Sequence, residues 1–199
     1  MPDINSPQFW QEIYRQGRAG WDLGGPTPVF VRLLRNHYLT PGRIIVLGAG
    51  RGHDARLFAR HGFRVTAVDF APEAIREMQA RNDPEAPVAV IHDDIFDLHP
   101  LLYGIFDYVL EYTFFCAIDP GRREAYAEVV DKLLKPGGRY VALAFPIGER
   151  EGGPPFAVNP DQLIRSLLER GFTLQRRETP PDSVPQRQGI EELLILQKE

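Results

Sequence analysis

Apolar residues recur at helical spacing near the start of the chain, first at Phe9, Ile13 and Tyr14 and then, past Gly24-Gly25-Pro26, at Val29, Phe30, Leu33 and Leu34. Two helices are therefore expected within residues 1–40. Pro41-Gly42 stops the second, and residues 43–47 form a short apolar, β-branched run ending in glycines, the pattern of a strand buried on both faces. From there the periodicity alternates. A helix over 53–61 carries Leu57 and Phe58 on one face, a strand follows over 63–68, and a helix over 71–81 has proline in its first turn. Strands are predicted over 88–91 and 106–110. A helix over 121–134 turns Tyr126, Val129, Val130, Leu133 and Leu134 inward, and Lys135-Pro136-Gly137-Gly138 breaks it ahead of a strand over 139–145.

Such alternation predicts an α/β fold, a mostly parallel sheet with helices on both faces and a ligand at the carboxyl ends of the strands. The end of the chain changes character. A helix over 161–170 closes at Gly171, and strand-like runs over 172–178 and 190–197 flank the proline-rich stretch 179–189, an antiparallel C-terminal hairpin. The expected organisation is one domain over 1–199, with 1–40 as an N-terminal helical lid and 41–199 as the α/β core.

Composition narrows the classes. The 199 residues are 43% hydrophobic and 25% charged, an ordinary globular balance. Lys and Arg number 23 against 27 Asp and Glu, with no basic block to track a phosphate backbone, so nucleic acid is not an expected partner. No apolar run approaches the roughly 18 residues of a membrane span, and residues 1–10 lack the basic-then-apolar pattern of an export signal. Cys116 is the single cysteine, which excludes an internal disulfide and fits a reducing cytoplasm. Placed between Phe115 and Ala117, it reads as a small buried hydrophobe rather than a nucleophile. His37, His53, His61, His92 and His99 show no paired metal-ligand spacing, so no metal is expected.

The strongest local motif is Gly48-Ala49-Gly50-Arg51-Gly52 between a strand and a helix. Alternate glycines allow a tight turn or close approach of a ligand, although a plain strand-to-helix turn would use them too. A dinucleotide fingerprint needs its third glycine where His53 stands, so a nucleoside without a pyrophosphate fits better. Asp69 ends the second strand, where a carboxylate reaches the two ribose hydroxyls; its other reading is an N-cap for the next helix. Phe70 follows it. Asp94 after the third strand could accept from an adenine amino group while Ile95 packs on the ring, or it could be a solvated acidic turn.

The stretch Phe106-Asp107-Tyr108-Val109-Leu110-Glu111-Tyr112-Thr113-Phe114-Phe115-Cys116-Ala117-Ile118, with Arg122-Arg123, Leu133-Leu134-Lys135-Pro136-Gly137-Gly138 and Gly152-Gly153-Pro154-Pro155-Phe156, resembles the thiopurine S-methyltransferase family. The similarity is closest to its thiol, halide and thiocyanate branch. Trp10, Tyr14 and Trp21-Asp22-Leu23-Gly24 resemble the aromatic triplet that borders the cofactor there. Tyr14 stands where plant members have tryptophan, and Glu111 where they have aspartate; both keep the chemical type.

The resemblance implies a Rossmann-like class I methyltransferase that uses S-adenosyl-L-methionine and releases S-adenosyl-L-homocysteine. Its cofactor residues would be Trp10, Tyr14, Trp21, Gly48, Gly50, Asp69, Phe70, Asp94, Ile95 and Glu111, and its catalytic residues Tyr112 and Glu111. Aromatic faces attract a sulfonium cation, although the triplet could equally be helix core. Glu111 and Tyr112 are read as lying just past the fourth strand, where a plain strand terminus is the competing reading. The expected acceptor is a small soft nucleophile, a thiol, thiocyanate, halide or thiopurine, attacked in line with no obligatory base. An NAD-dependent oxidoreductase and a catalytically inactive cofactor-binding module are the alternatives. Oligomeric state is not legible.

Overall fold

The computed structural model describes residues 3–199, and the chain divides into two compact units, Met1–Leu98 and His99–Glu199. In the first, α1 (Pro7–Arg15) starts at Ser6, whose hydroxyl accepts from the Gln8 N–H, and α2 (Pro28–Arg35) buries Val29, Phe30, Leu33 and Leu34. Each of those side chains contributes about 1.5–3 kcal/mol through removal from water. Asp54, in the first turn of α3 (His53–Arg60), accepts from both the backbone N–H and the hydroxyl of Thr27 at 2.8 and 2.7 Å. That pair anchors the start of α2. The strands β1 (Arg43–Leu47), β2 (Arg64–Asp69) and β3 (Val88–His92) are parallel in the order β3-β2-β1, with α4 (Pro72–Ala80) joining the last two.

In the second unit β4 (Phe106–Tyr112) pairs in parallel with β5 (Leu134–Ala144), the two being joined through α5 (Arg123–Leu133). After α6 (Pro160–Leu168) come β6 (Phe172–Glu178) and β7 (Glu192–Lys198), which pair antiparallel, and the order is β4-β5-β7-β6. The expected hairpin is present, with β7 as the inner strand and β6 at the edge. Burial explains the choice. Leu193, Leu194, Ile195 and Leu196 of β7 are all inaccessible to solvent, whereas β6 exposes much of Phe172–Glu178.

Two boundaries differ from expectation. The string Lys135-Pro136-Gly137-Gly138 does not separate α5 from β5 but lies within β5, where the β4 pairing shifts register between Phe106 and Tyr108. Gly137 takes a φ of 76°, and a Cβ on Gly138 would sit 2.8 Å from the Lys135 carbonyl oxygen and 3.0 Å from that of Phe106, so the irregularity needs glycine. The other difference is at β4, which runs to Tyr112. Glu111 and Tyr112 are its last two residues rather than a loop beyond it.

Candidate active site

In the first unit three adjacent parallel strands deliver their carboxyl ends together, and the predicted residues lie there. The loop after β1 places Gly48, Gly50 and Gly52 at φ of 60°, 55° and 71°, the left-handed region that glycine enters without strain. A Cβ on Gly50 would approach the Tyr14 hydroxyl to 3.2 Å. Asp69 ends β2 buried, its Oδ2 accepting the Gly50 N–H at 2.8 Å and its Oδ1 the Ala71 N–H at 2.9 Å. Burial pushes its carboxyl up, against the lowering effect of these backbone donors. The N-cap of α4 is Ala71, so Asp69 is not that cap. The Phe70 N–H also acts on the carboxylate, and with about four acceptor sites a carboxylate still keeps accepting capacity beside three backbone donors.

At the end of β3, Asp94 begins a short 3-10 turn and accepts the Phe96 N–H at 3.1 Å, while Ile95 is buried. The Asp93 N–H donates to the Asp69 carbonyl at 3.2 Å, and the His92 ring meets the Phe70 carbonyl at 3.1 Å, tying the ends of β2 and β3 together.

The aromatic triplet converges. Trp10 and Tyr14 each pack edge-on against Trp21, at 5.5 and 5.4 Å between centroids, and Tyr14 is buried against Ala71 and Ala74 with Phe70 alongside. Burial, reinforced by Asp69, raises the Tyr14 phenol and keeps it neutral. Asp22, one residue past Trp21, holds the segment down. It pairs with the Arg51 guanidinium and lies 3.2 Å from His53 Nε2, and Arg51 in turn pairs with Glu77 at 2.8 Å. Burial would raise the Asp22 carboxyl, but the Gly24 N–H, Arg51 and His53 together hold it below its ordinary value. Sequence reading missed this link, although Asp22 stands within the Trp21-Asp22-Leu23-Gly24 string.

In the second unit, Glu111 is 1% exposed and its Oε1 accepts the N–H groups of Phe114 and Phe115 at 3.0 and 2.9 Å. These bonds brace Thr113, which sits at φ 62°. Oε2 is buried and has no hydrogen-bond partner among the described residues. Burial pushes the carboxyl up to about 7, despite the two backbone donors. Such an atom calls for a proton or a cation.

Tyr112 donates its hydroxyl proton to Glu191 and accepts from Arg187, both from the C-terminal stretch. Burial, then Glu191, raises its phenol, so Tyr112 by itself is no base near neutrality. Cys116 is buried, donates to the Thr113 carbonyl at 3.3 Å, and has its thiol pushed up to about 12 by burial and then by Glu111. It stays a protonated, apolar filler. The Phe156 N–H donates to the Cys116 carbonyl at 2.7 Å and Arg123 donates to the Ala157 carbonyl at 2.8 Å, so the Gly152-Gly153-Pro154-Pro155-Phe156 loop is fastened beside the β4 exit. Phe114 packs on Tyr126 at 6.1 Å. Among the described residues no helix is long and apolar enough to cross a membrane, and no group of three or more His, Cys, Asp or Glu is arranged to hold a metal.

The family model for thiopurine S-methyltransferase matches residues 5–195. The chain is 36% identical over 193 residues to probable thiol methyltransferase 2 of Arabidopsis thaliana, covering 95% of this chain and 84% of that one. It is 33% identical to thiocyanate methyltransferase 1 of the same organism, over 92% of this chain and 82% of the other. Among solved structures, a Burkholderia thailandensis 1,6-didemethyltoxoflavin-N1-methyltransferase, crystallised with S-adenosylhomocysteine, superposes with a TM-score of 0.73 at 23% identity. That likeness covers 96% of this chain and 86% of that one. It shows the fold, the Rossmann-like class I methyltransferase architecture.

Proposed function

Because this chain belongs to the thiopurine S-methyltransferase family, we propose that it is an S-adenosylmethionine-dependent methyltransferase whose acceptor is a small soft nucleophile, a thiol, thiocyanate, halide or thiopurine. The carrying observation is the near-full-length identity to plant thiol and thiocyanate enzymes. Neither an NAD-dependent oxidoreductase nor an inactive binding module is favoured by that kinship.

The residues present fit the cofactor. The first unit offers the glycine turn, the Asp69 acceptors for ribose hydroxyls, Phe70, Asp94 and Ile95 for adenine, and the faces of Trp10, Tyr14 and Trp21 for a cation. In the second unit the buried Oε2 of Glu111, with no hydrogen-bond partner among the described residues, is suited to an ammonium. When bound, S-adenosylmethionine supplies a methyl group on a sulfonium, already an excellent leaving group. The protein then has to align the acceptor and exclude water. Tyr112, Phe114 and the Gly152-Gly153-Pro154-Pro155-Phe156 loop provide aromatic and apolar surface for this. Soft anions lose little on such stripping and carry no proton to remove. We also assign the protein to the cytoplasm, with small molecules rather than nucleic acid as partners, and treat 1–199 as one catalytic domain with 1–40 as its lid; the lone Cys116 and the absence of a basic block support this.

A labelled-methyl transfer assay tests the acceptor class. Thiols, thiocyanate and iodide should be methylated and catechols and carboxylates of similar size should not; efficient oxygen methylation with all three soft acceptors inert would sink the proposal. The lid has its own readout, since the only two tryptophans, Trp10 and Trp21, lie in it. Asp22 is held below its ordinary value, so its latch is complete above the unfolded carboxylate range, about pH 4, and is lost as pH falls through the depressed value. Tryptophan emission should hold steady from pH 8 to about pH 5 and shift to the red only on further acidification. In Asp22→Asn the red shift should be present already at pH 7; identical spectra at pH 7 would show that the latch does not hold the segment.

A further inference from the structure

The mechanism above leaves one buried charged pair unused. Arg187 and Glu191, 6% and 1% exposed, come from the proline-rich stretch and from the residue just before the last strand. The register explains how they reach Tyr112 across 75 and 79 residues. Tyr112 of β4 lies abreast of Leu143 of β5, and Leu143 abreast of Leu193 of β7, two residues after Glu191. A 3-10 turn at Pro185–Arg187 and a backbone bond from the Ile147 N–H to the Ile190 carbonyl, 3.0 Å, hold the approach. The Arg187 guanidinium lies over the rings of Phe145 and Tyr112, at 4.5 and 5.2 Å, and 3.9 Å from the Glu191 carboxylate.

The hydrogen-bond directions in this cluster are forced. A guanidinium only donates and an ionised carboxylate only accepts, so the Tyr112 oxygen accepts from Arg187 and its single proton points at Glu191. In that arrangement Tyr112 has no proton to offer an acceptor molecule, but its oxygen is able to receive one as its own moves on. We propose that Tyr112 and Glu191 form a proton exit for protonated acceptors, with Arg187 as the positioning residue that holds the two oxygens in line. This rests on the reading above that the acceptor meets Tyr112.

For a thiol, the sulfur lone pair forms the new bond to the methyl carbon and the electrons of the broken methyl–sulfonium bond stay with the departing sulfur. The thiol proton passes to Tyr112 Oη as the tyrosine's own proton passes to Glu191 Oε1. The carboxylate becomes a carboxylic acid and later returns the proton to water. Thiocyanate and iodide have no proton and bypass the path. The charged group packed against the pair is Arg187 from the turn; Cys116 at the β4 exit feels Glu111, Arg187 and Arg123, and its thiol is protonated through neutrality. One site thereby serves both protic and aprotic nucleophiles.

The test compares acceptors rather than overall rates. An alkyl thiol ionises at or above about pH 8.5 and is at most about 3% thiolate at pH 7, so a proton exit matters there and not at high pH. In Glu191→Gln the ratio of kcat for 2-mercaptoethanol to kcat for thiocyanate should fall about tenfold or more at pH 7 and recover as pH passes the thiol's own ionisation. Tyr112→Phe, which leaves the Arg187–Glu191 pair in place, should lower the ratio in the same way and decides the matter if Glu191→Gln does not fold. Equal losses for both acceptors, or no loss for either, would overturn the proton exit while leaving the methyltransferase reading intact. A wild-type protein that methylates neither acceptor would overturn that reading and the proton exit with it.

Discussion

Asp69→Ala is expected to weaken S-adenosylhomocysteine binding by about 1.5–3 kcal/mol, roughly 10- to 150-fold, because hydrogen bonds from two ribose hydroxyls to an ionised acceptor would be lost. The same carboxylate accepts from Gly50 and Ala71, so the variant also loosens the turn after β1 and the entry to α4. Asp69→Asn separates the two effects: its amide oxygen keeps one backbone bond and one hydroxyl, and its affinity should fall between the other two. Calorimetric titration with the melting temperature followed in parallel measures both. NAD should stabilise neither the native protein nor the variants. An unchanged dissociation constant in a folded Asp69→Ala protein would place the ribose elsewhere.

Glu111→Gln should raise stability and lower affinity together. The folded carboxyl sits at about 7 against an ordinary 4.5, so the folded state binds its proton more tightly than the unfolded chain does. Stability associated with this group is therefore complete below about pH 4.5 and lost as pH rises through 7, a total of about 3 kcal/mol as an order of magnitude. Gln keeps an oxygen for the Phe114 and Phe115 N–H groups but carries no charge. Above pH 7 the ligand-free variant should melt higher than the native protein, and the advantage should vanish toward pH 5. Cofactor affinity should drop at least tenfold if the carboxylate faces an ammonium, since such charge-assisted bonds are worth about 1.5–3 kcal/mol. Near pH 6.5 the native protein should release about three-quarters of a proton on binding S-adenosylhomocysteine and the variant none, a difference visible in buffers of different ionisation enthalpy. Equal proton release by both would show that Glu111 stays protonated in the complex.

Much of this was legible in the chain because it rests on local chemistry. Short continuous apolar runs and helical spacing located every strand and helix of the alternating region, since a strand buried on both faces and an amphipathic helix each write their exposure directly into neighbouring positions. The glycine turn after β1, Asp69 at the end of β2 and Asp94 after β3 were readable for a similar reason: a parallel sheet always brings the carboxyl ends of adjacent strands together. Boundaries were weaker. Pro136-Gly137-Gly138 looks like a break in any linear reading, and only the pairing of β5 with β4 makes it a bulge inside a strand.

What tertiary structure decided lies in contacts between residues far apart in sequence. Nothing about Asp22 alone announces Arg51 and His53, because an acidic residue after a tryptophan is ordinary until the first-unit fold places a guanidinium beside it. Tyr112 was singled out from its motif, yet its working surroundings were not, since Glu191 and Arg187 belong to a stretch with no distinctive pattern. Only the antiparallel insertion of β7 beside β5 carries those charges to the end of β4. Sequence determines which side chains a strand end presents; the register of strands distant in the chain determines which charges they meet, and hence where a proton is able to go.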